Sequence, residues 1–167
     1  MLIFDIETDG LLDDTTRIHC MAVHDTVTGE TIGFDPPTIE NGVRLLMDAL
    51  AQGELICGHN IIAFDIPALS KVYPDFIVSR EQREQIVDTL VLSRLIYSNL
   101  DTIDLGLMRS DRLPRRLYKS HSLRAWGYRL GEYKGDYGEQ EGAWEHYTPE
   151  MLDYCKQDVK VTVKLYA

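Results

Sequence analysis

The sequence has no long apolar run and no basic leader, and each absence removes a class of protein. No apolar stretch approaches the roughly 18 residues that a bilayer-spanning helix needs. The chain begins MLIFDIE, so a charge arrives at Asp5, whereas a secretory signal peptide has a basic start and a longer apolar stretch. We therefore expect a cytoplasmic protein without a signal peptide.

Cysteine is scarce and shows no metal-binding pattern. Cys20, Cys57 and Cys155 are odd in number, and no two of them have the C-x-x-C spacing of a zinc site. A framework of disulfides would need paired cysteines and an oxidising compartment. We predict three free thiols in a reducing compartment.

Basic residues are few, which bears on the kind of partner. The chain has 17 Lys and Arg residues against 27 Asp and Glu residues, a net charge of −10. DNA-binding proteins usually carry a basic footprint, so the total argues against nucleic acid. The distribution points the other way, because residues 109–129 contain seven basic residues and one acidic residue. Such a chain suits an anionic partner that brings or needs divalent cations.

What is present is the composition of one globular domain, with 167 residues, 44% hydrophobic and 26% charged.

Alternation over the first residues predicts a strand with Leu2, Phe4 and Ile6 on one face and Ile3, Asp5 and Glu7 on the other. Further strands are predicted over 17–25 and 30–34, joined by a hairpin at Thr28-Gly29, and over 54–57 and 86–88. Helices are predicted over 39–52, from near Asp65, over 89–98, over 120–131 and from Pro149 to about 166, whereas 109–119 is predicted to be loop and 132–147 irregular. This order predicts a single α/β domain over residues 1–167, with a mixed, mostly five-stranded sheet flanked by helices in three layers.

Three separate elements carry candidate catalytic side chains. Asp5 and Glu7 lie two apart on a strand and so share a face. Asp65 follows a turn at the start of a helix, and Tyr154 and Asp158 are four apart on the last helix. Taken singly, each has an ordinary explanation: a surface acid or an arginine partner, an acid at a helix N-terminus, and a hydrogen-bonded Tyr–Asp pair. Together, four acids and a hydroxyl at one sheet edge match two-metal phosphodiester hydrolysis.

In these features the chain resembles the 3′→5′ proofreading exonuclease domain of bacteriophage family A DNA polymerases, in the DEDDy branch of the DEDD exonuclease superfamily. The resemblance extends over nearly the whole chain, and the fold it implies is ribonuclease-H-like. The first and last matching segments identify the superfamily, and the two long central ones indicate the phage polymerase group. The matching segments are DIET at 5–8, HNIIAFDIPAL at 59–69, DTLVLSRLIYSNL at 88–100, SHSLRAWGYRLGEYKGDY at 120–137 and MLDYCKQDV at 151–159.

The resemblance implies a role for each candidate residue. Asp5, Glu7 and Asp158 would bind a first metal that activates the attacking water. Asp5 would also bridge to a second metal, whose hydration shell Asp65 would hold. The metals would be Mg²⁺, for which Mn²⁺ would substitute. Tyr154 would hydrogen-bond the water; because a phenol with a pKa of about 10 is a poor base at neutral pH, we assign it orientation.

A second group of residues is expected to hold the DNA 3′ end, single-stranded or frayed. By the resemblance, Leu11 would wedge at the terminal bases, with core packing as its alternative, while Thr8 and Asn60 would contact the terminal nucleotide. His59 is expected to be structural, and Trp126 and Tyr128 to pack their own helix. The basic segment is the candidate for phosphate contacts, with a solvated loop as its alternative. Its candidate residues are Arg109, Arg112, Arg115, Arg116 and Lys119.

Three functions stay open from the sequence. The first is a DNA exonuclease that releases nucleoside 5′-monophosphates, either free-standing or joined to a phage DNA polymerase domain or subunit; if phage-encoded, it would act in the bacterial host's cytoplasm. The second is an exoribonuclease of the same superfamily that trims RNA 3′ ends. The third is a non-catalytic nucleic-acid-binding module, against which the intact acids and Tyr154 argue.

Overall fold

A five-stranded mixed sheet forms the centre of the protein. The computed structural model describes residues 1–133 and 135–167; Lys134, within the stretch 132–147 predicted to be irregular, lies outside the described residues. The strand order is β3-β2-β1-β4-β5, with β1–β2 and β2–β3 antiparallel and β1–β4 and β4–β5 parallel. The predicted mixed sheet is confirmed. Its strands are β1 (Leu2–Thr8), β2 (Ile18–Asp25), β3 (Thr31–Phe34), β4 (Ile56–Gly58) and β5 (Ile86–Asp88).

Helices cover both faces of this sheet. Within the described ranges the α-helices are α1 (Ile39–Ala51), α2 (Asp65–Val72), α3 (Thr89–Ile96), α4 (Asp101–Arg109), α5 (Leu123–Leu130) and α6 (Pro149–Tyr166). Short 3-10 helices lie at Glu81–Gln85, Arg115–Leu117 and Tyr137–Glu139. None of the helices in these ranges combines the length and apolar character that crossing a bilayer requires.

The alternating side chains of β1 explain the three layers. Leu2, Phe4 and Ile6 are buried in a core shared with α1 and α2, which confirms the prediction that they lie on one face of the strand. Ile3, on the opposite face, is buried against Met151 and Val159 of α6. The sheet is therefore enclosed by α1 and α2 on one side and by α6 on the other, and the predicted α/β architecture is confirmed.

Local sequence signals set several of the element ends. Gly29 has a φ of +75°, a conformation that glycine adopts without strain, in the predicted β2–β3 hairpin. The Thr148 side chain accepts a hydrogen bond from the backbone N–H of Met151 and so caps α6, as its position before Pro149 predicted. In both places a pattern of neighbouring residues was enough to predict the end of the element.

Several element bounds differ from the predictions: the strand predicted over 54–57 is Ile56–Gly58, and the helix predicted over 89–98 ends at Ile96. The helix predicted over 120–131 begins only at Leu123, because Ser122 rather than Ser120 supplies the capping oxygen, to Ala125 N–H. The segment 109–119 is not all loop: Arg109 ends α4, and Arg115–Leu117 forms a 3-10 turn. No helix was predicted where α4 lies.

Candidate active site

The five predicted catalytic residues meet in one cleft. Its cavity has a volume of about 210 Å³. A larger groove of about 650 Å³ lies beside α2, but none of the described residues that line it carries a carboxylate, so it offers little for phosphodiester chemistry. The smaller cleft is lined by Asp5, Ile6, Glu7, His59, Asn60, Phe64, Asp65, Trp144, Tyr154 and Asp158.

The central strand presents the first two carboxylates. Asp5 and Glu7 stand on the β1 face that also carries Ile3, so they point to the α6 side of the sheet. Asp5 is opposite Ala22 and Glu7 opposite Cys20, and the register between β1 and β2 shifts between Glu7 and Thr8. Irregularities of this kind bend the strand and are frequent beside active sites. The pair therefore lies on the central strand, next to the point where the register of the β1–β2 pairing changes.

A tight turn after β4 brings Asp65 to the same place. Gly58 ends β4 so close to β1 that a Cβ atom would lie 2.7 Å from the carbonyl oxygen of Phe4. The chain then returns to α2, where Asp65 Oδ1 accepts a hydrogen bond of 3.2 Å from Ile6 N–H. Since β4 runs parallel to β1, its carboxyl end and the turn that follows lie at the edge where β1 ends.

Asp65 is almost entirely removed from water, and its pKa reflects this. Burial raises the pKa of Asp65 to about 7, and the negative charges of Asp88 and Asp158 act in the same direction. The hydrogen bond from Ile6 N–H opposes the rise but does not overcome it. Without a cation, the cleft therefore penalises ionisation of this carboxyl group.

The last helix supplies the other two side chains. Tyr154 and Asp158 are one turn apart on α6 and both line the cleft. Between them, the buried Cys155 thiol donates to the backbone oxygen of Asp5 at 3.3 Å and lies 3.5 Å from Asp5 Oδ2. Burial raises the pKa of the Cys155 thiol, so it stays protonated and acts as a donor. The sequence indicated the free thiol but not this contact with Asp5.

The donor set of the cleft fits a divalent cation. Ligand atoms of Asp5, Glu7 and Cys155 all lie within 4.8 Å of one another, and the 3%-exposed Asp158 carboxylate lines the same cavity. Several carboxylates gathered with little water repel one another, and a cation removes that cost. Carboxylate oxygens are the protein ligands that Mg²⁺ and Mn²⁺ prefer, so Asp5, Glu7 and Asp158 suit such an ion.

A fifth carboxylate, Asp88, supports the cleft from behind and was not predicted as a site residue. Its Oδ1 accepts from the backbone N–H of Asn60 and of Leu90, both at 2.9 Å, and its Oδ2 accepts from Ile62 N–H at 3.1 Å. Asp88 thus caps α3 and fixes the turn that leads to Asp65. The sequence could have indicated Asp88 through its place in the DTLVLS motif. Its contacts with Asn60 and Ile62 were not predictable from a local pattern, because they join residues 28 and 26 positions apart.

His59 and Trp144 also line the cleft. The prediction that His59 has a structural role agrees with its contacts, since its ring nitrogens lie 2.9 Å from Thr89 Oγ1 and 3.0 Å from the His121 carbonyl oxygen. Trp144 was not predicted at all, because the surrounding stretch shows no periodicity. Its signal was an aromatic residue just before the helix that carries Tyr154.

The residues predicted to contact the terminal nucleotide differ in their surroundings. Asn60 lines the cleft and has a φ of +67°. Thr8 is buried, and its hydroxyl donates to the Gly10 carbonyl at 2.7 Å. Leu11 is 77% exposed, so its core-packing alternative is wrong. Hydrogen bonds hold the loop that carries Leu11 in place, because the Leu11 carbonyl oxygen accepts from both the backbone N–H and the hydroxyl of Thr15.

The five basic candidates are all exposed and lie outside the described lining of the cleft. Arg116 pairs with Glu139 at 3.3 Å and Lys119 with Asp101 at 2.8 Å. Two other basic residues of 109–129 are committed within the protein. Arg129, whose side chain is 3% exposed, forms a bidentate ion pair with the fully buried Asp104, and Arg124 pairs with Asp136 and Glu139. Trp126 is buried beneath Arg129, in agreement with its predicted packing role.

Comparison with known proteins agrees with this geometry. The family model of the RNase H superfamily matches residues 2–167. Two relatives, each a DNA-directed DNA polymerase, from Escherichia phage T7 and Enterobacteria phage T3, are 41% identical to the chain over 182 aligned positions. Each alignment covers 99% of this chain and 26% of the relative, so the chain spans about a quarter of the length of these curated relatives. The predicted resemblance to phage DNA polymerases is confirmed.

Proposed function

Since this chain belongs to the RNase H superfamily, we propose that it is a metal-dependent 3′→5′ exodeoxyribonuclease that releases nucleoside 5′-monophosphates from DNA. One observation carries the proposal. Four carboxylates and a tyrosine from three distant segments of the chain line a single cleft of about 210 Å³. Such a cluster is costly unless a cation fills it, and phosphodiester hydrolysis is the chemistry that uses it.

Two divalent cations, Mg²⁺ with Mn²⁺ as a substitute, are the cofactors that we propose. Asp5, Glu7 and Asp158 would hold one ion, and Asp5 and Asp65 would serve the other, with Asp65 acting through hydrating water. When bound, the ions would acidify the attacking water and stabilise the charge that develops on the phosphate. Folding keeps the carboxylates in place through the Ile6 N–H bond to Asp65 and the Cys155 contact with Asp5.

Tyr154 would orient the attacking water from the α6 side. Its position one turn from Asp158 places the orienting residue and a metal ligand on the same face of one helix. Orientation of a reacting group in a fixed geometry is worth several kcal/mol of activation free energy, on the order of 7–11 kcal/mol in well-aligned cases. We therefore assign Tyr154 a positional role.

The DNA end would enter beside the exposed Leu11. An apolar side chain on a fastened loop is suited to separate the terminal bases, and Asn60 and Thr8 would contact the last nucleotide. The basic candidates, Arg115 and Arg116 above all, would hold phosphates farther from the cleft. Because both polymerase relatives extend well beyond the matched region, a polymerase domain or subunit is the partner that we propose.

The test is digestion of 5′-labelled single-stranded, 3′-recessed and blunt DNA with Mg²⁺, Mn²⁺ or chelator, and of matched RNA. We expect stepwise shortening from the 3′ end of DNA, release of mononucleotides, and no cleavage in chelator. Asp5→Asn should lower the rate by more than about a hundredfold, because loss even of an outer-shell partner costs 10- to 100-fold. Asp48→Asn, on the exposed side of α1, is the matched control and should cleave like the wild type.

Each alternative predicts a different pattern of products. Faster shortening of RNA than of DNA would favour the exoribonuclease. DNA binding without metal-dependent cleavage would favour the non-catalytic module. Cleavage that survives Asp5→Asn in pure protein would remove the metal-centre assignment.

A further inference from the structure

Three aromatic rings form a cluster at the cleft. Tyr154, the residue proposed to orient water, lies 5.7 Å from the ring of Tyr137 and 6.0 Å from that of Trp144, measured between centroids. Tyr137 and Trp144 are themselves 5.5 Å apart with an interplanar angle of 70°. These separations are in the range of favourable edge-to-face and tilted aromatic pairs. Trp144 belongs to this cluster and also lines the cleft with Asp5, Glu7 and Asp158.

The segment that carries Trp144 is attached at several points. The buried His19 donates from Nε2 to the Trp144 carbonyl at 2.8 Å. The Tyr137 hydroxyl donates to the Ala143 carbonyl at 3.0 Å and lies 2.9 Å from Thr148 Oγ1. The indole ring packs so closely on Gly138 that a Cβ atom there would come within 2.8 Å of it. The ring position is therefore determined by the fold.

Helix α6 alone does not determine where the Tyr154 hydroxyl points. The backbone sets the direction of the Cα–Cβ bond, but a tyrosine side chain then has several rotamers and a broad second torsion. Flanking rings restrict these torsions, and Trp144 and Tyr137 stand beside the Tyr154 ring. Displacement of a catalytic group by about 1 Å can cost around a hundredfold in rate.

We propose that Trp144 is a positioning residue of the active site, which holds the Tyr154 ring so that its hydroxyl faces the attacking water. This rests on the proposed nuclease function. Trp144 acts through Tyr154 and not through the metal ions or the DNA. Its indole ring lines the cleft and packs beside the Tyr154 ring, where it would limit the directions open to the phenol.

A double-mutant cycle tests this role. Trp144→Leu should lower kcat on single-stranded DNA by between about tenfold and a hundredfold and leave KM within about twofold. Trp144→Phe, which keeps a ring, should recover most of the rate. In a Tyr154→Phe background, Trp144→Leu should cause no further loss, because the hydroxyl it positions is absent. Trp144→Met is taken through the same cycle, so that the result does not depend on the folding of one variant.

Controls separate this role from a structural or DNA-stacking role. His146→Ala, an exposed neighbour in the same segment, should keep wild-type kcat. Affinity for a single-stranded oligonucleotide, measured by fluorescence anisotropy in chelator, should be equal for wild type and Trp144→Leu. Weaker binding, or a loss of kcat that is the same in both Tyr154 backgrounds, would overturn the proposal.

The cycle also distinguishes the two levels of inference. Absence of metal-dependent mononucleotide release by the wild-type protein would count against the nuclease function itself. An active wild type together with Trp144→Leu that keeps kcat within twofold would overturn the positioning role alone.

Discussion

The ionised carboxylate of Asp65 costs the metal-free protein stability, because the side chain is buried. The pKa of its folded form, about 7, exceeds the ordinary aspartate value of 3.8 because burial disfavours the charge. Between these two values the folded state binds more protons than the unfolded state, so the free energy of unfolding falls as pH rises through this window. The difference corresponds to on the order of 4 kcal/mol. A divalent cation should reverse the effect, since it favours the ionised form.

Replacement of Asp65 by asparagine should therefore stabilise the metal-free protein in a pH-dependent way. The amide side chain would stay neutral and would keep an oxygen for Ile6 N–H. In chelator, urea unfolding at pH 4.5, 6 and 7.5 should show an advantage of Asp65→Asn over the wild type that grows with pH. Added Mg²⁺ at pH 7.5 should reduce it, because the ion stabilises the wild type more. An advantage that is constant over this range, as expected for the surface control Asp48→Asn, would contradict the explanation.

At the residue scale the sequence predicted the chemical groups better than their support. Strand alternation predicts that Asp5 and Glu7 share a face, and helical spacing predicts the same of Tyr154 and Asp158. Both rules act over only a few residues. Trp144 could not be found in this way, because its position depends on His19, which is 125 residues away in the chain. Likewise, the use of the Cys155 thiol as a donor to Asp5 depends on a contact across 150 residues.

At the element scale, Asp88 joins three elements that would otherwise be independent. It ends β5, caps α3 and holds the turn after β4 through Asn60 and Ile62 N–H groups. Asp88→Asn would keep an acceptor oxygen at the Oδ1 position but would place an NH₂ group against Ile62 N–H. The variant thus loses one partly buried hydrogen bond without losing the helix cap, since asparagine also caps well.

We expect Asp88→Asn to lower the free energy of unfolding by about 1 kcal/mol, the lower end of the usual cost of a donor left without its acceptor, because this hydrogen bond is only partly buried. Because the same turn leads to Asp65, the rate of DNA cleavage should fall at temperatures where the variant is still folded. Chemical denaturation and single-turnover cleavage measure the two effects. If stability falls but the rate per folded molecule does not, Asp88 supports the fold without supporting the cleft.

Helix α4 shows why an element can escape prediction. Its apolar residues Ile103 and Leu105 are more than 40% exposed, while the residue buried along its length is Asp104. A helix is usually predicted from a stripe of buried apolar residues, and here that stripe is short, with Leu107 and Met108 half-buried against a core cluster. The helix is held by the bidentate pair between Asp104 and Arg129 and by the Lys119 N–H bond to Asp104 Oδ2. No local sequence pattern predicts this buried ion pair, because Asp104 and Arg129 are 25 residues apart in the chain.

At the scale of the whole molecule, charge is divided between an acidic body and one basic segment. The −10 net charge opposes DNA binding at long range, yet residues 109–129 carry seven of the 17 basic residues. The fold joins this segment to the cleft, since the His121 carbonyl oxygen lies 3.0 Å from Nε2 of His59, which lines the cleft. Bound cations and this segment would together offset the acidic body.

The salt dependence of DNA binding tests this division. Each phosphate contact with single-stranded DNA contributes about 0.7 to the slope of log affinity against log salt. The double variant Arg115→Ala, Arg116→Ala should therefore bind a single-stranded oligonucleotide more weakly, with a slope reduced by roughly 0.7 for each phosphate that these two arginines neutralise. Because Arg116 also pairs with the exposed Glu139, which competes with phosphate, the single variant Arg115→Ala should account for the larger part. The control is Arg44→Ala, on α1 at the opposite face of the sheet, which should leave the slope unchanged. If the double variant has the same slope as the wild type, the segment is not part of the binding surface.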